Sequence, residues 1–271
     1  MAESIVKIKN GDIEIDTSQI AEIVGTIPAE DFVHEQFDTA AVTATTDILF
    51  LLSTPRCGST FLSDLVRLSD LCLPHEYFQP FQYLPMLAAR WGCIEDGALN
   101  KQKFIEKLLI FRTHPSGWIG VNLHGHHLQA FSCFSGLLPN LREHYIHLKR
   151  RDVIAQAVSY EIASQTGKWS SHFQSSVDTH YSYEGIQKKI QIIEEMNLMI
   201  AAYVRQRRVC CITIYYEDLV REPGAALGQI LAEGSVHLSL PASDLDAQSN
   251  ALNVEWARRF SEERSKGAGI S

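Results

Sequence analysis

Five consecutive apolar residues, Ile48 to Leu52, run directly into STPRCGSTFL, Ser53 to Leu62. An unbroken apolar run of that length suits a parallel strand covered on both faces, since neither face then needs a polar position for water. From Ser59 the spacing changes, and Phe61, Leu62, Leu65, Val66 and Leu68 fall on one helical stripe. Strand, tight loop and helix in this order commit the chain to an α/β architecture, because parallel neighbours are joined by crossovers that place helices on the sheet faces.

The alternation continues downstream. Strands are predicted at Ile119–Leu123, Tyr145–Leu148 and Val209–Tyr215, and helices at Asp152–Thr166, Tyr183–Gln206 and Pro223–Leu231. The predicted core is therefore a mostly parallel central sheet flanked by helices. Upstream, Ile5 to Ile15 alternates apolar and polar residues around Asn10-Gly11. That dipeptide tolerates positive φ at both centres of a tight turn, so a small β-hairpin is predicted. Thr17 to Thr46 is weakly patterned. The chain divides on this reading into an N-terminal hairpin and appendage over 1–46 and a main domain over 47–271.

Composition limits what such a domain can do. Across 271 residues, 24 Lys and Arg face 32 Asp and Glu, a net charge of −8, which argues against a general nucleic-acid binder. The six cysteines form no CxxC pair, and a chain of this length needs no disulfides, so reduced intracellular thiols are expected. Charges interrupt every apolar stretch of MAESIVKIKNGDIEID, unlike a signal peptide. No run approaches the roughly 18 apolar residues of a membrane span. A cytoplasmic protein without membrane insertion is expected.

The loop after the first strand has the makings of an anion cradle. Pro55 stiffens the turn, Gly58 lets backbone approach a ligand, Ser59 and Thr60 add hydroxyls, and Arg56 supplies a planar cation. A plain turn capped by Ser59 or Thr60 would carry the same hydroxyls; the preceding buried strand and the arginine inside the loop favour anion binding. It is not a Walker A loop, which needs lysine where Ser59 stands.

A second cradle follows at HLKRRDVIAQAVSYEIASQTGKW, His147 to Trp169. Lys149, Arg150 and Arg151 precede a helix opened by Asp152, and Ser159 lies two turns along it, so an arginine and Ser159 can share a second phosphate. The plain alternative is an arginine paired with Asp152 or capping a neighbouring helix. Between the cradles, Glu76 sits among Pro74, His75, Tyr77, Phe78 and Phe81. A carboxylate in an aromatic setting has its pKa raised, which suits a general base near neutral pH; His75 is the rival base, and a solvated surface glutamate the plain alternative.

PRCGSTFL, PHEYF and RRDVIAQAVS followed by QTGKW, in this order, resemble the PAPS-dependent sulfotransferases, most closely the bacterial trehalose 2-sulfotransferase family. The resemblance runs from Ile48 to the Glu255-Trp256 region and implies a P-loop-like three-layer α/β fold. It implies 3′-phosphoadenylyl sulfate (PAPS; product PAP) as cofactor without a metal, with Arg56, Cys57, Gly58, Ser59 and Thr60 on the 5′-phosphosulfate. Arg150 and Ser159 take the 3′-phosphate, with adjacent Arg151 one residue from the same match, and Glu76 is the base. Arg56 and the loop amides would stabilise the leaving phosphate. VCCITIYYEDL and VEWARRF match the family's late strand and C-terminal segment more loosely.

One departure stands out: Asn122 occupies a position where the family commonly has lysine. Beside it His124, His126 and His127 cluster, with His144 and His147 not far on. HGHH lacks the separated second ligand pair of a zinc motif, so acceptor-pocket or surface histidines are expected. The implied partner is a small acceptor, a carbohydrate or a natural product that could be cationic, sulfated on oxygen or nitrogen; a homodimer is left open. Two other functions fit the first loop: a magnesium-ATP-dependent small-molecule kinase, which the absent lysine disfavours, and a non-catalytic PAP or nucleotide-binding module.

Overall fold

A computed structural model describes residues 5–39, 43–169, 177–231 and 251–267. Strands β1 (Val6–Lys9) and β2 (Asp12–Ile15) open the chain, followed by α1 (Ile20–Thr26). The central motif is β3 (Asp47–Ser53) and α2 (Ser59–Leu68). Then come α3 (Tyr83–Arg90), the short strands β4 (Ile94–Glu95) and β5 (Ala98–Leu99), and α4 (Lys101–Arg112). Next are β6 (Trp118–His124), α5 (Leu128–Ser132), β7 (Arg142–Lys149), α6 (Val153–Thr166) and α7 (Tyr183–Arg207). The chain closes with β8 (Cys211–Tyr215), α8 (Tyr216–Arg221), α9 (Pro223–Leu231) and α10 (Ala251–Gly267).

The strand order β6-β3-β7-β8 is parallel throughout, and every residue of β3 is buried. Its side chains alternate between two cores. Ile48, Phe50 and Leu52 join Leu84 and Leu87 of α3 and Phe104 and Leu108 of α4 on one face. Leu49 and Leu51 join Leu62, Leu65 and Val66 of α2 and Leu227 of α9 on the other. Helix, sheet and helix make the three layers. Chain connections leave β3 toward β6 and leave β7 toward β8, so the topological switch point, where open α/β sheets bind ligands, lies beyond the carboxyl ends of β3 and β7.

The predicted hairpin is present, with φ of 53° at Asn10 and 85° at Gly11. It does not stand apart. Strand β2 pairs with β5, and Ile13, Ile15, Ile27 and Val33 lie in the same apolar cluster as β3. The weakly patterned stretch after it is held by side chains distant in sequence. Arg112, 2% exposed, donates to the carbonyls of Phe32, Val33, His34 and Phe37 and pairs with Asp38 at 3.0 Å. Arg90 donates to the same carboxylate at 2.8 Å. Removing one partner of a buried pair typically costs about 3–5 kcal/mol. We expect Arg112→Ala to lose at least the lower end of that range, a fall in Tm on the order of 10 °C; thermal unfolding of the variant within about 2 °C of the parent would contradict this anchoring role.

Among the described residues, no helix is long and apolar enough to cross a membrane. The six cysteines are free.

Candidate active site

The loop between β3 and α2 takes its shape from alternating backbone hand. Arg56 has φ of 63° and Gly58 of 95°, and Cys57 between them stays outside the left-handed region. Such alternation turns successive N–H groups toward one concave side, a nest for an anion. Gly58 is required for a second reason: a Cβ there would sit 2.4 Å from the Tyr216 ring. Helix α2 starts at this point with no side-chain cap, so its first-turn N–H groups face the nest without an intrahelical acceptor. Cys57 offers little beyond backbone. Its side chain is buried in the apolar cluster under the loop and its N–H closes the turn onto the Thr54 carbonyl at 3.3 Å.

Two guanidinium groups converge here. Arg56 Nε donates to Ser159 Oγ at 2.9 Å, and another of its nitrogens donates to the Trp169 carbonyl. Arg150 reaches the Arg56 carbonyl at 3.4 Å, lies 4.8 Å over the Tyr216 ring, and keeps a buried Nε with no hydrogen-bond partner among the described residues. Burial, and then the like charge of Arg150, pull the Arg56 guanidinium down to about 10. Like charges held together in a desolvated site are the mark of a pocket built for an anion. Arg151 is engaged elsewhere, on Asp218 at 2.6 Å and over Tyr215, while Glu217 takes the backbone N–H groups of Arg151 and Asp152. The YYEDL segment thus directs one arginine inward and the other outward.

Ser53, at the end of β3, pairs in register with His124 at the end of β6. Asn122 serves the framework rather than the pocket: its Oδ1 accepts from Ser53 Oγ at 2.9 Å and its N–H binds the His75 carbonyl at 2.8 Å. The segment carrying Glu76 lies against β6 because position 120 has no side chain; a Cβ on Gly120 would meet Pro74 at 2.6 Å. Glu76, with a side chain one-fifth exposed (20%), faces His124 Nε2 at 3.6 Å and His127 Nε2 at 3.8 Å. Burial, followed by the charge of Asp31, pushes its carboxyl up to about 8. His75 is committed to Asp31, at 3.0 Å from its Nε2, and Asp31 also accepts from the Tyr83 hydroxyl.

His124 and His127 are buried and His126 is half-buried, so the surface alternative does not apply to the first two. The other two histidines stay apart: His144 binds Asp47 at the far end of the sheet, and His147 binds Asn197. Sequence reasoning missed three contributors. Gln156 holds the loop through Thr54 Oγ1 and the Pro55 carbonyl, and a lone amide within VIAQAV was its only signal. Tyr216 and Asp31 carried none, one in a loosely matched segment and the other in an unpatterned one.

The Stf0 sulphotransferase family matches residues 49–263. Trehalose 2-sulfotransferase of Mycobacterium tuberculosis is 30% identical over 119 residues, which span 43% of this chain and 45% of that protein, so the match reaches less than half the relative's length. Among solved structures, the sulfotransferase domain of the Synechococcus PCC 7002 olefin synthase aligns with TM-score 0.40 and 16% identity over 83% of this chain and 98% of that one. A mouse sulfotransferase solved with PAP aligns with TM-score 0.39 and 15% identity over 97% and 76%. The family match extends from within β3 to α10 and takes in every residue of the pocket except Asp31. On that match, the chain belongs to the Stf0 sulphotransferase family.

Proposed function

We propose that this protein transfers a sulfuryl group from PAPS to a small-molecule acceptor. The observation that carries the reading is the convergence of Arg56, bonded to Ser159, with Arg150, bonded to the Arg56 carbonyl, beside an uncapped helix N-terminus at the switch point, with the Glu76 segment on the adjacent strand β6. The cradle fits a nucleotide with two phosphate groups: the loop turns its backbone through positive φ at Arg56 and Gly58, and the buried Arg150 Nε has no hydrogen-bond partner among the described residues. The nest amides, Ser59 and Thr60 would hold the 5′-phosphosulfate. Arg150 and Ser159 would hold the 3′-phosphate, with Arg56 bridging the two sites. Arg151, on its own carboxylates, is the poorer candidate.

PAPS, held there, would supply an activated sulfuryl group for transfer to the acceptor, with PAP as the leaving group that takes the electron pair of the broken sulfur–oxygen bond. The protein's part is to orient the acceptor, take its proton on Glu76, and stabilise the leaving phosphate through Arg56 and the loop amides. Calorimetric titration with PAP, and separately with magnesium and ATP, tests the reading: PAP should bind without magnesium. Binding of magnesium-ATP alone would replace it with the kinase reading. PAP binding with no transfer to any acceptor would leave a nucleotide-binding module.

Glu76 works as a base only when ionised, so with its pKa near 8 the transfer rate should rise with pH through that value and level off above it. Asp31 raises the Glu76 pKa, so Asp31→Asn should move the midpoint of this rise toward lower pH. A pH-rate profile of the variant with an unmoved or raised midpoint would show that Asp31 does not tune the base.

A further inference from the structure

The family match begins at residue 49, so Asp31 comes from a part of the chain outside it, yet the Asp31 side chain reaches the residue beside the base. The carboxylate is 7% exposed and takes three partners. His75 Nε2 lies 3.0 Å from Oδ1, the Val33 N–H binds that oxygen at 3.0 Å, and the Tyr83 hydroxyl donates to Oδ2 at 2.9 Å. The Tyr83 ring also meets the His75 ring edge-on, with 4.6 Å between centroids. The stretch that delivers Asp31 is itself held. Arg90 and Arg112 both donate to the Val33 carbonyl, and the Thr39 N–H binds the Phe111 carbonyl at 2.8 Å. Asp31 is therefore a fixed point against which His75 is braced.

Glu76 has no such support of its own. Among the described residues no hydrogen bond reaches its carboxylate, and the two imidazole nitrogens that face it, at 3.6 and 3.8 Å, stand beyond bonding distance. Its aim is set by backbone. His75 bridges Val121 and its carbonyl takes the Asn122 N–H at 2.8 Å, so this segment runs along β6. Successive side chains of extended backbone leave on opposite sides. With the His75 ring drawn to Asp31 and Tyr83, Glu76 is turned the other way, toward the turn after β6.

We propose that Asp31 is a positioning residue for the transfer: acting through His75, it fixes the segment that carries Glu76, so that the N-terminal stretch ahead of β3 completes the active site. The inference rests on Glu76 as the base and goes beyond the effect of the Asp31 charge on its pKa. Charge and bond are separable. Asparagine removes the charge and keeps an oxygen for His75 Nε2 and the Val33 N–H, while its amide can donate to the Tyr83 hydroxyl. Alanine removes both. A misplacement of about 1 Å at a reacting centre can cost about 10²-fold in rate. The β6 bonds to residue 75 survive in the alanine variant, so a smaller loss, about tenfold, is expected there.

The test compares the full chain with Asp31→Ala, Asp31→Asn and His75→Phe, as PAP complexes and in turnover with PAPS and trehalose as the probe pair. Crystal structures with PAP should show the Glu76 carboxylate displaced by about 1 Å, or split between orientations, in Asp31→Ala and His75→Phe, and in its parental place in Asp31→Asn. This arm needs no acceptor, and His75→Phe, which keeps a ring in the core, serves where Asp31→Ala does not fold. On the high-pH plateau of each rate profile, kcat should fall about tenfold in Asp31→Ala and less than about twofold in Asp31→Asn, with PAP affinity unchanged in both. A carboxylate that stays in place in Asp31→Ala, or a plateau kcat equally low in the two Asp31 variants, would overturn the positioning role. So would losses that multiply in the Asp31→Ala/His75→Phe double variant, since residues acting through one contact are not additive. Failure of the parent chain to bind PAP would instead remove the sulfotransferase reading, and full activity of Glu76→Gln would remove the base on which this inference rests.

Discussion

Replacement of Glu76 by glutamine should abolish transfer while leaving the nucleotide in place. Gln fills the same volume, cannot take a proton at neutral pH, and lies on the β6 side of the pocket, away from Arg150 and Ser159. Loss of a general base costs about 10²–10⁴ in rate, and the upper part of that range is expected here because the competing base is already engaged. His75 has its Nε2 on Asp31 at 3.0 Å. The check is a paired measurement, PAP affinity by calorimetry and initial rate with PAPS. A variant that binds PAP normally and turns over within about tenfold of the parent would remove Glu76 from the base role. A variant that loses PAP binding as well would place Glu76 in the cofactor site, which its position does not suggest.

The second large effect separates two adjacent arginines. Arg150→Ala should weaken PAP binding by about 10- to 100-fold, since a hydrogen bond to a charged group contributes about 1.5–3 kcal/mol. Arg151→Ala should leave PAP affinity within about threefold, because that side chain is half-exposed and occupied by Asp218, and exposed pairs contribute little. The contrast follows from the α8 segment: Glu217 holds the backbone at Arg151 and Asp152 while Asp218 draws the Arg151 side chain outward. Measured affinities in the reverse order would exchange the two residues in the 3′-phosphate site. Equal losses would mean that net charge at this strand end, rather than a particular guanidinium, governs binding.

The strand–loop–helix unit was legible because local patterns specify it. The apolar run at Ile48–Leu52, running into a turn, suits a doubly covered strand, and β3 is buried throughout. The later strands and helices follow the same logic, displaced by a few residues at their ends; the strand predicted from Val209 begins at Cys211. The stretch between Gln82 and Trp118 was not read. Helices α3 and α4 and the two-residue strands β4 and β5 occupy it, and strands that short leave no period in a sequence.

The residue types of the site were likewise present in the sequence, but their arrangement was not. PRCGST announces an anion cradle by itself, since proline, glycine and hydroxyl residues act through the backbone of their own turn. That Arg56 bends away to Ser159 depends on α6 lying beside the loop, more than a hundred positions along the chain. The same holds for Asp31, which comes from an unpatterned stretch, is anchored near Glu76 by a region pinned through Arg112, and acts through space on the base. The histidine turn shows the division most clearly. Sequence alone supplied three imidazoles near a strand end; that two of them are buried and face the oxygens of Glu76 was decided only when the turn closed against it. Backbone conformation is encoded by neighbours in sequence, whereas protonation and charge are governed by neighbours in space, and those exist only in the folded chain.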